Sequence, residues 1–447
     1  MPEYVRDTIV AAATPPGKGG IGVVRVSGED AGALAKSLIG KLPEPRVASR
    51  ATARDSQGNV IDDGLALYFP GPASYTGEPV FEFHGHGGPL VIATLVAAAV
   101  ELGARRAQPG EFSKRAFLNG KLDLVQAEAI ADLIDSGTRQ AARAALRSLS
   151  GSFSEAVANL ERQLVELRMH VEAAIDFPEE EIDFLSDAQL LARIERCTQA
   201  FAKLREEAGI GRVLRDGLQL VIVGKPNVGK SSLLNLLSGQ EAAIVTEVAG
   251  TTRDILRERI EIDGLAVELV DTAGLREDPD RIEAEGIRRA REALGKADGA
   301  LWIQDANTES PGDLPEDLPA DIPVVILRNK IDLTGEPPGI RSDDPKTLNV
   351  SVKSGAGIDA LRETVRELAG YRDLGEGAFT ARKRHVEAID KAYACFERGK
   401  AALEEQKAGE LMAEDLRAAL DALGEISGAV SSDELLGRIF SEFCIGK

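Results

Sequence analysis

The chain has 447 residues, a formal net charge of −20 and a pI near 4.8. This length predicts two to four domains with an ample core. The acidic balance argues against binding nucleic acid through bulk electrostatics, although it leaves room for a local basic patch. The three widely spaced cysteines indicate a reducing compartment and no metal site. The longest apolar run, Leu90–Val100, is too short to span a membrane, and no secretory signal precedes it, so we expect a cytoplasmic protein.

The first 120 residues are predicted to form a mixed α/β domain, because short apolar strand patterns alternate with helical ones. The predicted strands are Ile21–Ser27, Leu65–Phe69 and Val80–His84, and the predicted helices are Ala31–Ile39 and Leu90–Leu102. From Leu122 to about Ala208 the pattern is helical, with apolar residues three and four positions apart.

A phosphate-binding loop follows, at Gly224–Ser231, with the pattern G-x-x-x-x-G-K-S. The apolar run Leu218–Val223 predicts a strand before it, and a helix is predicted from Ser232, which is the context that the motif requires. Backbone N–H groups and the helix N-terminus would bind phosphate, Lys230 would reach the β- and γ-phosphates, and Ser231 would ligate Mg²⁺. The loop residues assigned to the nucleotide are Asn227, Val228, Gly229, Lys230, Ser231 and Ser232.

Two further motifs predict which nucleotide is bound. The strand Leu265–Val270 leads into Asp271, Thr272, Ala273 and Gly274, which would meet the metal and the γ-phosphate. The strand that begins at Pro323 ends in N-K-x-D, where Asp332 can accept hydrogen bonds from N1–H and N2–H₂ of guanine, groups that adenine lacks. The base-contacting residues are Asn329, Lys330, Asp332, Ser351, Val352 and Lys353. The order of these motifs predicts a guanine-nucleotide-binding domain.

A switch-like segment lies between the first two motifs, and Thr252 within it is a natural second hydroxyl ligand for Mg²⁺. Its nucleotide-contacting residues are Thr246, Glu247, Val248, Ala249, Gly250, Thr251 and Thr252. Leu275 stands where small signalling GTPases carry a water-orienting glutamine, so hydrolysis is either slow or uses another group. Asn227 could hold a monovalent cation against the phosphates, and Glu283 could orient water or could be a solvated residue at a helix start.

Two helical patterns follow the nucleotide domain, at Ala381–Leu403 and Ala413–Ile439. We therefore predict an α/β plus α fold in which a Ras-like P-loop GTPase domain interrupts a helical domain. Two separate helical units are the alternative. The predicted boundaries are 1–120 for the N-terminal domain, 121–214 and 378–447 for the two helical parts, and 215–377 for the GTPase domain.

The chain resembles the MnmE (TrmE) family of bacterial and organellar tRNA-modifying GTPases over essentially its whole length. The resemblance rests on seven segments: 7–20, 76–78, 83–88, 109–119, 121–130, the G-T-T-R-D switch at 250–254 and the C-terminal F-C-I-G-K at 443–447. It implies a GTP hydrolase whose N-terminal domain dimerises and binds 5-formyltetrahydrofolate or methylenetetrahydrofolate as one-carbon donor. The positions that match the family's folate contacts are Arg25, Glu82, Lys121 and Lys447.

The resemblance also implies potassium activation and catalytic residues. The positions matching the potassium contacts are Asn227, Thr246, Val248 and Thr251. Glu283 matches the water-orienting glutamate, Lys230 is the phosphate-loop lysine, and Cys444 matches a functionally important cysteine. His84 and His86 could imitate metal ligands, but two residues favour a structural interpretation.

The implied partners are a second copy of the chain, tRNA, and a flavin- and NADH-dependent MnmG/GidA-type subunit that completes a heterotetramer. Together they would add an aminomethyl or carboxymethylaminomethyl group to C5 of the wobble uridine in certain tRNAs, with no membrane involved. Two alternatives stay open from the sequence. One is a GTPase switch for ribosome assembly, and the other is a folate-dependent one-carbon enzyme in which GTP is only regulatory.

Overall fold

The computed structural model describes residues 7–176, 188–240, 256–271, 295, 297–309, 322–370, 377–430 and 432–446. None of the helices in these ranges combines the length and apolar character needed to cross a bilayer. The chain divides into two compact units, one made of residues 1–131 and 417–447 and the other of residues 132–416.

The first unit is built on a six-stranded sheet with strand order β3-β4-β5-β2-β1-β6. The strands are β1 (Ile9–Ala12), β2 (Gly19–Ser27), β3 (Ser49–Arg54), β4 (Val60–Phe69), β5 (Val80–Gly87) and β6 (Arg105–Arg106). The helices are α1 (Ala31–Ile39), α2 (Pro89–Glu101), α3 (Glu111–Leu118) and most of α4 (Leu124–Asp135). The helix predicted at Ala31–Ile39 is confirmed, and the predicted strands and the other helix are confirmed with small shifts of their ends.

Side-chain alternation in β2 and β5 gives these strands one apolar face and one face that carries charged side chains. Val24 and Phe83 lie in the core with residues of α1 and α2. These strands pair antiparallel with Arg25 opposite Glu82. Because successive side chains of a strand point to opposite faces, Arg25 and Glu82 lie side by side on the face away from that core.

The C-terminal residues complete this unit. The last helix, α13 (Asp433–Ser441), packs Leu436, Ile439 and Phe440 against Leu124 and Ala127 of α4. α13 therefore has its apolar partners in α4, which the sequence assigns to the first helical part at 121–214. The helical pattern over Ala413–Ile439 proves to be two helices, the end of α12 (Gly409–Ser427) and α13.

The second unit combines long helices with a seven-stranded sheet of order β12-β13-β11-β10-β7-β9-β8. Its helices before the sheet are α5 (Arg139–Leu149), α6 (Ser152–Asp176) and α7 (Ala188–Asp216), and α11 (Lys383–Gln406) and the start of α12 follow it. The strands are β7 (Leu218–Gly224), β8 (Leu256–Ile262), β9 (Leu265–Asp271), β10 (Gly299–Asp305), β11 (Val324–Asn329), β12 (Gly339–Ile340) and β13 (Thr347–Asn349). The helices α8 (Lys230–Gln240), α9 (Ile331–Thr334) and α10 (Ile358–Leu368) lie among them.

The strands β9, β7, β10, β11 and β13 run parallel, so their carboxyl ends meet at one edge of the sheet. Their apolar side chains, including Leu220, Ile222, Leu301 and Leu327, form one core with α8 and α10. Open parallel sheets bind ligands outside the carboxyl ends of their strands. This edge therefore brings together the loops that carry the predicted nucleotide motifs.

Candidate functional site

The phosphate loop connects β7 to α8 and has the backbone that an anion site requires. Asn227 and Gly229 have φ values of +65° and +108°, so the chain turns sharply before the helix begins at Lys230. The Lys230 side chain is buried, and Nζ donates to the carbonyl oxygens of Gly224, at 2.6 Å, and Lys225, at 2.8 Å. These two hydrogen bonds hold the ammonium group against the backbone of the phosphate loop, at the N-terminus of α8.

Asn329 joins the phosphate loop to the base-contacting loops. It is buried, and Nδ2 donates to the Val228 carbonyl at 2.8 Å while Oδ1 accepts from the Val352 N–H at 3.0 Å. A Cβ on Gly229 would overlap Nδ2, so glycine is required there by space as well as by φ. One side chain therefore fixes the distance between the phosphate end and the base end of the site.

Asp332 is exposed and oriented by a buried neighbour. Its Oδ1 accepts from the Ser351 hydroxyl at 2.7 Å, and the Ser351 Oγ accepts in turn from the Ser354 N–H at 3.3 Å. A carboxylate held in this way has the acceptor atoms that N1–H and N2–H₂ of guanine would need.

Asp305, at the end of β10, is a site residue that the sequence motifs did not reveal. It accepts from Lys330 Nζ at 2.6 Å, and Lys330 itself has a φ of +71°. Burial disfavours the ionised Asp305, but hydrogen bonds from Lys330 and the Asn307 N–H outweigh it and lower the pKa of this carboxyl. Its only sequence signal was a carboxylate at the end of a buried strand.

Several predicted residues lie outside the described part of the chain. These are Thr246, Glu247, Val248, Ala249, Gly250, Thr251, Thr252, Thr272, Ala273, Gly274, Glu283 and Lys447. For Asp271 the backbone alone is described, and it ends β9 opposite Ile222 of β7. The aspartate motif therefore begins beside the strand that leads into the phosphate loop.

The first unit holds a second polar site around Arg25. Its Nε donates to Glu82 at 2.7 Å, and its guanidinium lies over the rings of Tyr75 and Phe112, 5.4 and 5.7 Å from their centroids. Nη1 also donates to the Gly446 carbonyl at 3.5 Å, so the backbone immediately before Lys447 reaches this site. Tyr75 and Phe112 were not predicted; Tyr75 adjoins the 76–78 motif, and Phe112 lies within the 109–119 motif.

Electrostatics favour an ionised Glu82 at this site. Burial disfavours the charged form, but the charge of Arg25 and hydrogen bonds from His84 and Arg25 outweigh it, so the pKa of Glu82 is lowered. His84 Nε2 lies 3.0 Å from the second carboxylate oxygen. The result is a charged, hydrogen-bonded pair beside two aromatic rings.

The other predicted residues of this unit have hydrogen-bond partners other than Arg25 and Glu82. Lys121 is exposed and its Nζ donates to the Pro72 carbonyl at 3.2 Å. Cys444 is an exposed free thiol whose carbonyl accepts from the Gly110 N–H at 3.4 Å. His86 bonds Asp62 at 2.7 Å, and within the described ranges no three His, Cys, Asp or Glu side chains cluster as metal ligands.

Both units resemble known proteins. A family model described as the GTP-binding protein TrmE N-terminus matches residues 8–121, and one described as the MnmE helical domain matches residues 124–444. Proteins named tRNA modification GTPase MnmE from Pseudomonas syringae pv. tomato and Pseudomonas fluorescens Pf0-1 are 53% and 54% identical, over 99% of this chain and 99% of theirs.

The chain belongs to the MnmE family of tRNA modification GTPases. It is therefore a GTP hydrolase by family, and the expected family and enzyme class are confirmed. Among solved structures, a GDP complex of a Sulfolobus solfataricus GTP-binding protein is 20% identical, covering 47% of this chain and 67% of that one, with a TM-score of 0.26. Aquifex aeolicus Era bound to GDP.AlF4− is 26% identical, covering 40% and 67%, with a TM-score of 0.26.

The polar residues of the family motifs at 76–78 and 109–119 have a structural explanation. Arg115 is buried and donates to the Asp7 carbonyl at 2.6 Å, to Glu78 at 3.1 Å and to Glu111 at 3.0 Å. Asn119 Nδ2 donates to the Thr76 carbonyl at 2.7 Å. In this MnmE-family chain the 76–78 and 109–119 motifs therefore hold each other, and they carry Tyr75 and Phe112 to Arg25.

Proposed function

We propose that this chain hydrolyses GTP to drive the addition of an aminomethyl or carboxymethylaminomethyl group to C5 of the wobble uridine in certain tRNAs. The observation that carries the proposal is the guanine-type site tied together by Asn329, in a chain that matches tRNA modification GTPases over 99% of its length. GTP turnover would time a conformational change rather than transfer phosphate to the substrate.

The catalytic and metal assignments follow the nucleotide motifs. Lys230, held inside the phosphate loop, would shift from its carbonyl partners to the β- and γ-phosphates. Ser231 lies in the first turn of α8, where its hydroxyl suits Mg²⁺, and Thr252 would add the second hydroxyl. When bound, the metal would neutralise charge on the phosphates.

The proposed potassium site centres on Asn227. Its positive φ places it at the turn of the phosphate loop, and its side-chain oxygen is the kind of ligand that a monovalent cation takes. Thr246, Val248 and Thr251 would complete the site, and Glu283 would orient the attacking water. Together these residues would do the work of the water-orienting glutamine, whose place is taken by Leu275 in this chain.

We propose that Arg25, Glu82, Lys121 and Lys447 bind a tetrahydrofolate one-carbon donor. The pairing of Arg25 with Glu82 beside Tyr75 supports this assignment, because pterin rings carry hydrogen-bonding edges and stackable faces. The contact between Arg25 and the Gly446 carbonyl supports a place for Lys447 in the same site. Lys121 and Lys447 would meet the glutamate-tail carboxylates of the folate.

Domain boundaries and partners complete the proposal. We place a GTPase domain at 215–377 between helical parts at 121–214 and 378–447, after an N-terminal domain of residues 1–120. The chain would act as a homodimer with the flavin- and NADH-dependent MnmG/GidA-type subunit, which supplies the redox chemistry. Cys444 is an exposed thiol two residues before Gly446, whose carbonyl contacts Arg25, and stays a candidate for the catalytic step.

A reconstituted assay tests this proposal. The chain, the flavin-dependent subunit with NADH, and unmodified tRNA are mixed with methylenetetrahydrofolate labelled in its one-carbon group, ammonium or glycine as nitrogen donor, GTP and KCl, and label is counted in the wobble uridine. We expect GTP-dependent incorporation that falls strongly when NaCl replaces KCl. Incorporation without GTP hydrolysis would favour the one-carbon enzyme with regulatory GTP, and GTP hydrolysis without incorporation would favour the ribosome-assembly switch.

A further inference from the structure

The helix α5 carries a stripe of three arginines that its own surroundings do not explain. Arg139, Arg143 and Arg147 stand four residues apart in the helix sequence RQAARAALRSL. Successive residues of the stripe are separated by about 6 Å along the axis and about 40° around it. The buried residues Ala141, Ala144, Ala145 and Ser148 lie on the opposite side of the helix. The stripe therefore faces away from the core, with Arg139 and Arg143 exposed and Arg147 half-buried.

The charges of this stripe oppose the local rules of helix stability. Like charges at i, i+4 repel one another, and the helix dipole disfavours Arg139 in the first turn, although it favours Arg147 in the last turn. The helix has no acidic residue to compensate. Within the described parts of the chain, none of the three arginines forms an ion pair, although the protein carries 20 more acidic than basic residues. Departures of this kind from local consistency concentrate at functional surfaces.

We infer that the arginine stripe of α5 binds the phosphate backbone of tRNA. Guanidinium groups pair with phosphate oxygens in a planar, bidentate geometry, and a row of them at regular spacing can follow successive phosphates. The helix has no aromatic side chain on which a base could stack, so the contact is with backbone and independent of sequence. In a strongly acidic chain such a stripe confines RNA to one face of the molecule.

The inference rests on the proposed function, because the relatives' name identifies tRNA as the substrate class. It adds the surface that holds this substrate, which neither the nucleotide motifs nor the folate residues supply. An acidic protein partner could also meet three arginines, and the test below separates that outcome from RNA binding.

The test measures the affinity of the full chain for unmodified tRNA by fluorescence anisotropy across a range of KCl concentrations. The variant is the triple Arg139→Gln, Arg143→Gln, Arg147→Gln. The matched control is Lys203→Gln, Arg205→Gln, Lys383→Gln, which removes three exposed cations from α7 and α11 that already pair with acidic residues. A triple Arg→Lys variant at the stripe keeps the charge and checks that any loss is not misfolding.

We expect the Gln stripe variant to bind tRNA about ten-fold or more weakly, with a log K against log salt slope reduced by about 2 to 3, since each lost phosphate contact removes about 0.7 to 0.9. The control and the Lys variant should keep slopes close to the wild-type value, and GTP binding should stay unchanged in all three. Equal tRNA binding by stripe and control variants overturns the inference. The inference is also overturned if the stripe variant binds tRNA normally but no longer binds the flavin-dependent subunit.

Failure of the inference can be told from failure of the proposed function. If wild type supports wobble-uridine modification and the stripe variant binds tRNA as well as wild type, the stripe assignment alone is wrong. If wild type neither binds tRNA nor supports the modification, both are wrong.

Discussion

The buried side-chain amide of Asn329 connects two loops of the nucleotide site. Both polar atoms of Asn329 are used, one on the phosphate loop and one on the loop that begins at Ser351. Leaving either partner unsatisfied in the interior costs about 1 to 3 kcal/mol. In the proposed site, Asp332 would present its carboxylate to the base, and the hydrogen bond from Ser351 would fix the direction of that carboxylate.

Asp332→Asn should convert the site from guanine to xanthine preference. The substitution removes two charge-assisted acceptors, each worth about 1.5 to 3 kcal/mol, so GTP affinity should fall by at least about a hundred-fold. Xanthosine triphosphate, which has a carbonyl where guanine has an amine, should bind the variant better than GTP does. Calorimetric titration with both nucleotides measures the change.

Ser351→Ala is the graded companion of that variant. It keeps the carboxylate and loses only the 2.7 Å hydrogen bond that orients it, so GTP affinity should fall by about five- to ten-fold without a switch to xanthine. A Ser351→Ala loss as large as that of Asp332→Asn would contradict direct contact between Asp332 and the base.

At the scale of elements, the Arg25 site is made by strand pairing and by the C-terminal residues together. The register of β2 with β5 places Arg25 beside Glu82, and Gly446 completes the site from the opposite end of the sequence. Gly446 has a φ of +99°, and a Cβ there would overlap the carbonyl oxygen of Ala12 in β1. The position of the last residues thus depends on a close backbone approach that only glycine permits.

Gly446→Ala should therefore weaken folate binding without affecting GTP. We expect affinity for 5-formyltetrahydrofolate to fall by about ten-fold or more, because the strained, crowded position displaces the chain that carries Lys447. Gly437→Ala in α13 is the matched control, since a Cβ there meets nothing within 4 Å. Titration of both variants with folate and with GDP decides the matter. Unchanged folate affinity in Gly446→Ala would remove the C-terminal residues from the site.

The Arg25–Glu82 pair should also appear in the pH dependence of stability. The pKa of Glu82 is lowered in the folded protein, so its stabilising contribution is complete above the unfolded value near 4.5 and is lost as pH falls through the folded value. Glu82→Gln should cost about 1 to 3 kcal/mol in the free energy of unfolding between about pH 5 and 7. Below about pH 4.5 the difference from wild type should shrink.

Urea denaturation of the full chain across this pH range measures that difference. Glu206→Gln on α7, an exposed carboxylate, serves as the control and should follow wild type throughout. A wild-type minus Glu82→Gln difference that grows as the solution becomes more acidic would contradict the assigned sign.

The parts of this architecture that could be predicted are those that a local sequence pattern determines. The strands predicted at Leu218–Val223 and Leu265–Val270, where apolar runs end in recognisable loops, are confirmed and each extends one residue further. The strand Ile9–Ala12 and the helix Glu111–Leu118 were missed, since both are short and owe their stability to long-range packing. Neither the link between Asp305 and Lys330 nor the ring contacts of Arg25 could be predicted, because each depends on register between distant segments.

For the whole molecule, the two units divide the proposed work. The unit of residues 132–416 carries the nucleotide loops and the arginine stripe of α5, and the unit formed by residues 1–131 and 417–447 carries the Arg25 site. With a net charge of −20, most of the surface is expected to repel RNA, so a short basic stripe can determine where RNA is held. The central claim is that GTP turnover in one unit serves modification chemistry on tRNA.

Nucleoside mass spectrometry of tRNA tests that claim most directly. Cells lacking this gene are complemented with wild type, with Lys230→Ala, or with Lys203→Gln as a surface control. We predict that the C5-modified wobble uridine disappears in the deletion, returns with wild type and Lys203→Gln, and stays absent with Lys230→Ala. Unchanged wobble-uridine modification in the deletion, or full restoration by Lys230→Ala, would contradict the account.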